Sequence, residues 1–251
     1  MTSLEEGKLN NKSNAQVILH NHCLAVILFL KRMHVPDAPG WPFSSVVRFG
    51  CVHSVLAGVL QSIAAPLDAI VYNAAWDCWN ISLATTPQIQ EKPLPRGFRF
   101  APVDEDNLPM VINTSEKRRE AETCRHLPNI GLFTTEETGK KNLVAWVYIG
   151  LDGSVQSLYV KPQLRGRGLA SRIMYKLILR LARGDFAPEG YPGKSGWTHG
   201  IVKEGNIPSE KSMSSVGGWK KWKIAYMHID VSKFESEAQF WAFNKLPNYL
   251  I

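Results

Sequence analysis

Cysteine is scarce in this chain, and the four that occur, Cys23, Cys51, Cys78 and Cys124, show no close pairing. That excludes a disulfide framework and suits a reducing, cytoplasmic (intracellular) compartment. Long apolar runs are missing too. The stretch 17–30 contains only eight unbroken apolar residues, 23–30, against the roughly 20 that a membrane span needs. As a signal peptide its core is short, Glu5 and Glu6 precede it, and no small-residue cleavage site follows Lys31-Arg32 cleanly. A buried strand or helix is expected there, with no membrane partner. His20 and His22-Cys23 have no second ligand cluster at useful spacing, so no metal is expected. No aromatic-interleaved RNA motif, zinc pattern or array of basic helices occurs, and nucleic acid is not expected as a partner. Low-complexity runs and internal repeats are absent as well.

What is present is a chain of 251 residues, 45% apolar and 20% charged, a globular composition large enough for one large or two small domains. The formal net charge of +7 is unevenly placed. Residues 1–90 balance five basic residues (Lys8, Lys12, Lys31, Arg32, Arg48) against five acidic ones (Glu5, Glu6, Asp37, Asp68, Asp77), so the whole excess lies in 91–251.

Within that basic part, one unit stands out. SVQSLYV reads as a strand that Pro162 ends, because proline cannot donate to a ladder. LASRIMYKLILRLAR reads as a helix, with Leu169, Ala170, Ile173, Met174, Leu177, Ile178 and Leu181 recurring at three and four. Arg172, Lys176, Arg180 and Arg183 fall on the other face. Between them lies Gln163-Leu164-Arg165-Gly166-Arg167-Gly168. Two glycines leave this backbone open to close approach, and the helix that follows presents unpaired N–H groups and a partial positive charge. Lys161, Arg165, Arg167 and Arg172 add cations. Such a loop is an anion site, and a pyrophosphate is its natural ligand. It is not a Walker loop, which needs Gly-Lys-Ser/Thr. Nor is it a dinucleotide fingerprint, since Ser171 replaces the third glycine and a loop at 184–196, not a second strand, follows the helix.

Gln-x-x-Gly-x-Gly/Ala opening a long helix resembles the acyl-CoA loop of the GNAT superfamily of N-acetyltransferases. Upstream, LPNIGLFTTEETGKKNLVAWVYIGLDGSVQSLYV is similar to the strand meander of the glycine N-acyltransferase-like branch. Downstream, Trp197 to Val202, then Asn206, Ser209 and Gly217-Gly218-Trp219, resemble that branch's fifth strand and its Asn-x-x-Ser helix. The resemblance covers roughly residues 96–231. It implies an α/β (α+β) fold, a mixed and mostly antiparallel sheet flanked by helices. It implies a catalytic, acyl-CoA-binding domain at 91–251 and, at 1–90, an irregular, degenerate GNAT-like half that shapes the acceptor pocket.

By the same resemblance the co-substrate is acetyl-CoA or another short acyl-CoA, and the acceptor is the primary amine of a small metabolite or amino acid. A protein or peptide acceptor, or an inactive CoA-binding module, are the alternatives. The family's central strand splays from the fifth, so free backbone groups of Leu158, Tyr159 and Val160 are expected to hold the pantetheine arm. Arg165, Gly166, Arg167, Gly168, Leu169 and Ala170 are expected to take the pyrophosphate. Asn206 reaches the pantetheine and Ser209 flanks it. Ser154 stands where that branch has a glutamate base, and Met213 where many relatives have a tyrosine acid. His199 is the remaining titratable group on a strand beside the pocket, and histidine can take a proton near neutral pH. It is the candidate catalytic base.

Elsewhere the readings are coarser. Residues 1–14 are polar and expected to fray, and 37–42 are loop chemistry. Residues 46–65 read as a helix or two strands. Residues 69–83 carry Trp76 and Trp79 at helical i, i+3 spacing, given to core packing. Residues 85–95, with Pro87, Pro93 and Pro95, read as a linker. Residues 97–103 read as a strand, 104–107 as a cap for a helix near Leu108, and 115–126 as a charged helix. Antiparallel strands at 130–133 and 143–149 should join through a turn at 137–141, and Asp152-Gly153 should make a two-residue hairpin. A last strand carries Tyr226, His228 and Asp230, and a C-terminal helix is expected at 235–244.

Overall fold

A computed structural model describes residues 13–37, 42–89, 92–115, 120–135, 141–191, 193 and 195–234. Most of the expected frayed start at 1–14, most of the turn at 137–141 and of the loop at 37–42, and the C-terminal helix at 235–244 lie outside the described residues; Ser13 and Asn14 do not fray but open a helix. Two compact units emerge, one formed by Met1–Trp76 with Trp222–Ile251, the other by Asp77–Lys221.

In the first unit the apolar stretch near residue 20 is a helix, α1 (Ser13–Arg32), with Lys31 and Arg32 in its last turn, where cations complement the helix dipole. Strand β1 (Val46–His53) runs into α2 (Ser54–Ala64), whose first turn is capped by His53 through Nδ1, which accepts from the Val55 N–H at 3.3 Å. The reading of 46–65 as a helix or two strands thus resolves into one of each. β1 pairs antiparallel with β8 (Trp219–Asp230), from Val46 opposite Asp230 to His53 opposite Ile224. On the other side of β8, Tyr72 of β2 (Ile70–Ser82) lies 4.9 Å from His228, ring to ring. Alternate β8 residues Ala225, Met227 and Ile229 point inward with Cys23, Leu24, Ile27 and Leu28 of α1 and Leu60, Ile63 and Ala64 of α2. Among the described residues, no helix is long and apolar enough to cross a membrane.

The second unit is built on a meander. Strands β3 (Phe98–Ala101), β4 (Asn129–Thr135), β5 (Lys141–Ile149) and β6 (Ser154–Val160) pair antiparallel in sequence. β7 (Trp197–Lys203) then joins β6 in parallel, giving the order β7-β6-β5-β4-β3. Both faces of this sheet are covered. Val147 and Ile149 of β5 and Val155 of β6 face the stripe Leu169, Ile173, Met174, Leu177, Ile178 and Leu181 of α5 (Leu169–Ala182). Leu143, Trp146 and Tyr148 face Leu108 and Val111 of α3 (Leu108–Asn113) and Cys124 of α4 (Ala121–His126). Burial on both sides explains why β5 reads as an apolar run rather than an alternation. The 14-residue α5 is the crossover that a parallel β6–β7 pair requires. A sixth helix, α6 (Ile207–Ser214), follows β7.

Three local expectations are corrected. The tryptophan stretch is not a helix but the 13-residue strand β2, whose Val, Ile, Tyr and Trp content favours a pleated surface once neighbouring strands pair with it. The connection at Asp152-Gly153 takes four residues, closed by bonds from the Gly150 N–H to the Ser154 carbonyl and from the Gly153 N–H to the Gly150 carbonyl. The charged helix before Leu127 is confined to Ala121–His126 among the described residues. The proline-rich stretch 85–95 lies inside the second unit, where the Thr86 hydroxyl is buried and donates within hydrogen-bond reach of the Ser82 and Val216 carbonyls.

Leu177 is fully buried at the centre of the α5 stripe. Leu177→Ala is expected to lower stability by about 2–5 kcal/mol, measured by chemical denaturation with unchanged slope.

Candidate functional site

The site begins where β6 leaves β7. Register between these parallel strands is limited to Ser154 opposite His199 and Val155 opposite Gly200. From Gln156 to Val160, β6 continues without a register partner in β7. The cause is local. The β5–β6 register shifts between Trp146 and Tyr148, and Ser157 sits at φ 55°, a left-handed conformation that costs a non-glycine residue about 1–2 kcal/mol. A bulge of this kind sharpens strand twist and turns the strand away from its neighbour. Leu158, Tyr159 and Val160 therefore lie on the splayed half of β6.

Tyr159 is fixed by a stack on Trp146, with centroids 4.5 Å apart and planes 18° apart. The Arg165 guanidinium lies over the same ring at 5.5 Å, and its Nε donates to the Val160 carbonyl at 3.0 Å. Beyond a single 3-10 turn at Pro162–Leu164, the chain passes through Gly166 at φ 78° and Gly168 at φ 68° into α5. Both glycines use the left-handed region, which explains their presence. A Cβ on Gly166 would meet nothing within 4 Å, so this backbone is open; a Cβ on Gly168 would come within 2.7 Å of an Arg172 terminal nitrogen. Gly168 is the N-cap of α5 and offers no side chain to the first N–H groups. Leu169 is buried and Ala170 half-buried, whereas Arg165 to Gly168 are exposed.

The loop's cations are not equivalent. Arg172 turns back: one terminal nitrogen donates to the carbonyls of Arg167 (3.1 Å) and Gly168 (3.0 Å), and Nε donates to Pro93 (3.0 Å). Its guanidinium thus occupies the Arg167 and Gly168 carbonyls at the start of α5. The residues present fit an anionic diphosphate: an exposed glycine backbone, a helix N-terminus and adjacent guanidinium charge.

Downstream, Asn206 caps α6, its Oδ1 accepting from the Ser209 N–H at 3.3 Å, which leaves its amide NH₂ as a donor. The two expected residues are thus joined by one hydrogen bond at a helix start. Met213 is buried, and its methyl group occupies the space that a Cβ on Gly200 would need, 2.2 Å away. Its thioether offers no proton to a leaving group.

His199 enters through the parallel register. Partners in a parallel pair project to the same face, so the imidazole stands beside Ser154, the position at which the resemblance puts a glutamate. Its side chain is 31% exposed, and its Nε2 lies 3.7 Å from Oδ2 of Asp152. The other oxygen, Oδ1, accepts from the Ser154 hydroxyl at 2.6 Å and N–H at 3.0 Å. Partial burial opposes the charge on Asp152. The Ser154 bonds and the facing imidazole outweigh it and hold this carboxyl below the usual carboxylate range. Burial and the Asp152 charge push the nearby Tyr191 phenol up. Sequence reasoning missed Asp152 as anything but a turn former. Asp-Gly-Ser is a visible Asx-turn signal, but only the β6–β7 register brings it to His199.

The FR47-like protein family matches residues 129–188, which run from β4 through α5 and just beyond. No curated protein sequence matches the chain. A Drosophila protein solved by X-ray crystallography is similar in structure with a TM-score of 0.60 and 16% identity, covering 73% of this chain and 60% of that one. A GCN5-related N-acetyltransferase from Sphaerobacter thermophilus is similar with a TM-score of 0.50 and 12% identity, covering 74% of this chain and 60% of that one. The chain has the GNAT fold. It spans about three fifths of the length of both structures, and at these identities the likeness is one of fold. Within the GNAT fold, the FR47-like match falls on β4 to β6, the glycine loop and α5, and leaves His199, Asn206 and Ser209 outside it.

Two outcomes follow from this geometry. Gly168→Ala combines positive φ with a clash against Arg172 and is expected to cost more stability than Gly166→Ala, where only the backbone conformation, about 1–2 kcal/mol, is at stake; paired denaturation curves compare them. A carboxyl held low stabilises the fold above the ordinary value of about 3.9, and that contribution is lost as pH falls through the lowered value. Wild type should therefore lose more stability between about pH 6 and about pH 2.5 than Asp152→Asn, whose Oδ1 can still accept from Ser154.

Proposed function

We propose that this chain is an N-acyltransferase that moves an acetyl or other short acyl group from acyl-CoA to the primary amine of a small metabolite or amino acid, by direct attack in a ternary complex. The observation that carries this is the joining of two features in one stretch: β6 parted from β7 after Val155, and the open glycine loop that starts α5 directly beyond it. A diphosphate is held at the N–H groups of Gly166 to Ala170, with the Arg165 N–H already closing the turn onto the Pro162 carbonyl. The pantetheine arm lies along Leu158, Tyr159 and Val160, whose backbone the bulge frees from β7, with Asn206 and Ser209 flanking it. The thioester is then delivered toward the paired start of the strands. A backbone N–H there polarises the carbonyl as charge develops on it.

His199 takes the proton of the attacking amine. Its place beside Ser154 supports this, because an imidazole next to the empty base position can replace the missing carboxylate. The four cysteines are free, which agrees with an intracellular setting. Met213 favours a second reading, a CoA-binding module without turnover: where an acid would serve the departing thiolate, a buried methionine fills the space.

Thiol release from acetyl-CoA across a panel of amino acids and simple amines separates the two. Amine-dependent release establishes the transferase, whereas acetyl-CoA binding with no release across the panel supports the module. Gly166→Glu or Gly168→Glu places bulk and negative charge where the diphosphate sits and is expected to abolish acetyl-CoA binding in calorimetry; retained affinity would remove the loop from the site. His199→Ala should lower kcat by about 10²-fold or more without weakening acetyl-CoA binding.

A further inference from the structure

The Asp152 carboxylate is used on both sides. Oδ1 closes the β5–β6 connection by accepting both the hydroxyl and the N–H of Ser154. Those bonds would be made equally well by an asparagine. Oδ2 is not needed for the turn, yet it faces His199 Nε2 at 3.7 Å, within ion-pair range. The connection is tied to β7 beside His199. The Thr198 hydroxyl, next to His199 on β7, donates to the Gly153 carbonyl at 2.7 Å. A Cβ on Gly150 would run into the Gln156 amide at 2.4 Å and Asp152 Oδ1 at 2.9 Å, so this turn packs closely around the carboxylate. Asp152 is the one charged group in contact with His199 among the described residues, and Tyr191, on the loop after α5, is its neutral phenolic neighbour.

Resting on the acyl-transfer reading with His199 as base, we propose that Asp152 is the positioning residue for His199: it holds the imidazole by its Nε2 side as the Nε2–H tautomer and leaves Nδ1 to take the proton. The amine lone pair attacks the thioester carbonyl carbon, a C–N bond forms, and the C–S bond breaks with its electron pair leaving on sulfur. The amine proton passes to Nδ1, and the imidazolium so formed, stabilised by the Asp152 charge, returns it to the thiolate or to water. Asp152 stays ionised throughout. An asparagine at 152 keeps the turn but reverses the signal, because its NH₂ donates to Nε2 and selects the Nδ1–H tautomer, which cannot accept the proton.

The test uses full-length wild type, Asp152→Asn, Asp152→Glu and His199→Ala. Imidazole ¹⁵N chemical shifts read the tautomer of His199 without any substrate, and an Nε2–H form in wild type that becomes Nδ1–H in Asp152→Asn is expected. Thiol release is measured with acetyl-CoA and whichever amine of the panel wild type turns over fastest. Asp152→Asn is expected to lose about tenfold or more in kcat with KM for acetyl-CoA unchanged, and Asp152→Glu to recover part of it. A structural role alone would leave kcat of the well-folded asparagine variant near wild type, and either that result or an unchanged tautomer overturns the proposal. Full activity in His199→Ala, or no thiol release by wild type with any amine, removes the reading beneath it; a shifted tautomer would in that case still show the Asp152–His199 contact, so the two failures are distinguishable.

Discussion

The site depends on one constraint: a parallel strand pair that holds for two residues and then lets go. A continued ladder would consume the backbone groups of Leu158 to Val160 in pairing with β7. Because the pair ends after Val155 and Gly200, β7 claims none of these groups, and the Val160 carbonyl goes to Arg165 instead. The bulge at Ser157 is the local source of that divergence, and its left-handed backbone is a strain that the buried surroundings of β5 and β6 hold in place. The closed end of the pair is equally necessary, since it brings Ser154, His199 and Asp152 together. One short ladder thus sets both the splayed half of β6 and the meeting of Ser154, His199 and Asp152.

Electrostatics completes what the strands begin. The loop after β6 carries several cations, but two of them work on the protein itself. Arg172 gathers the Arg167, Gly168 and Pro93 carbonyls, and Arg165 holds the Val160 carbonyl from its seat on Tyr159. The backbone of Gly166 to Gly168 lies exposed at the end of α5 where the helix dipole is positive. Lys161 and Arg167 add charge at the same place.

Much of this was legible in the amino-acid order, and for physical reasons. The meander showed itself through turn residues and apolar runs, and α5 through an unbroken 3.6-residue period that starts directly after Gly168. The glycine loop is a local feature, so its residues suffice to recognise it. The tryptophan stretch misled because i, i+3 spacing is also compatible with a strand whose long aromatic side chains lie on opposite faces, and β2 takes its form from strands distant in sequence. Asp152 was hidden for the same reason: its neighbours along the chain announce a turn, while its partner His199 arrives from 47 positions downstream by way of the parallel register. The side chain of Arg172 could be counted as a cation from its identity, but its attachment to Pro93 could not.

The most direct test of the account is amide hydrogen exchange on the full chain with and without saturating acetyl-CoA. Protection is expected in two places, the splayed half of β6 at Leu158 to Val160 and the loop from Arg165 to Ala170, with little change on the far edge strand β3. Binding that protects neither stretch, or a folded protein whose exchange acetyl-CoA leaves unaltered, would contradict the assignment of this site.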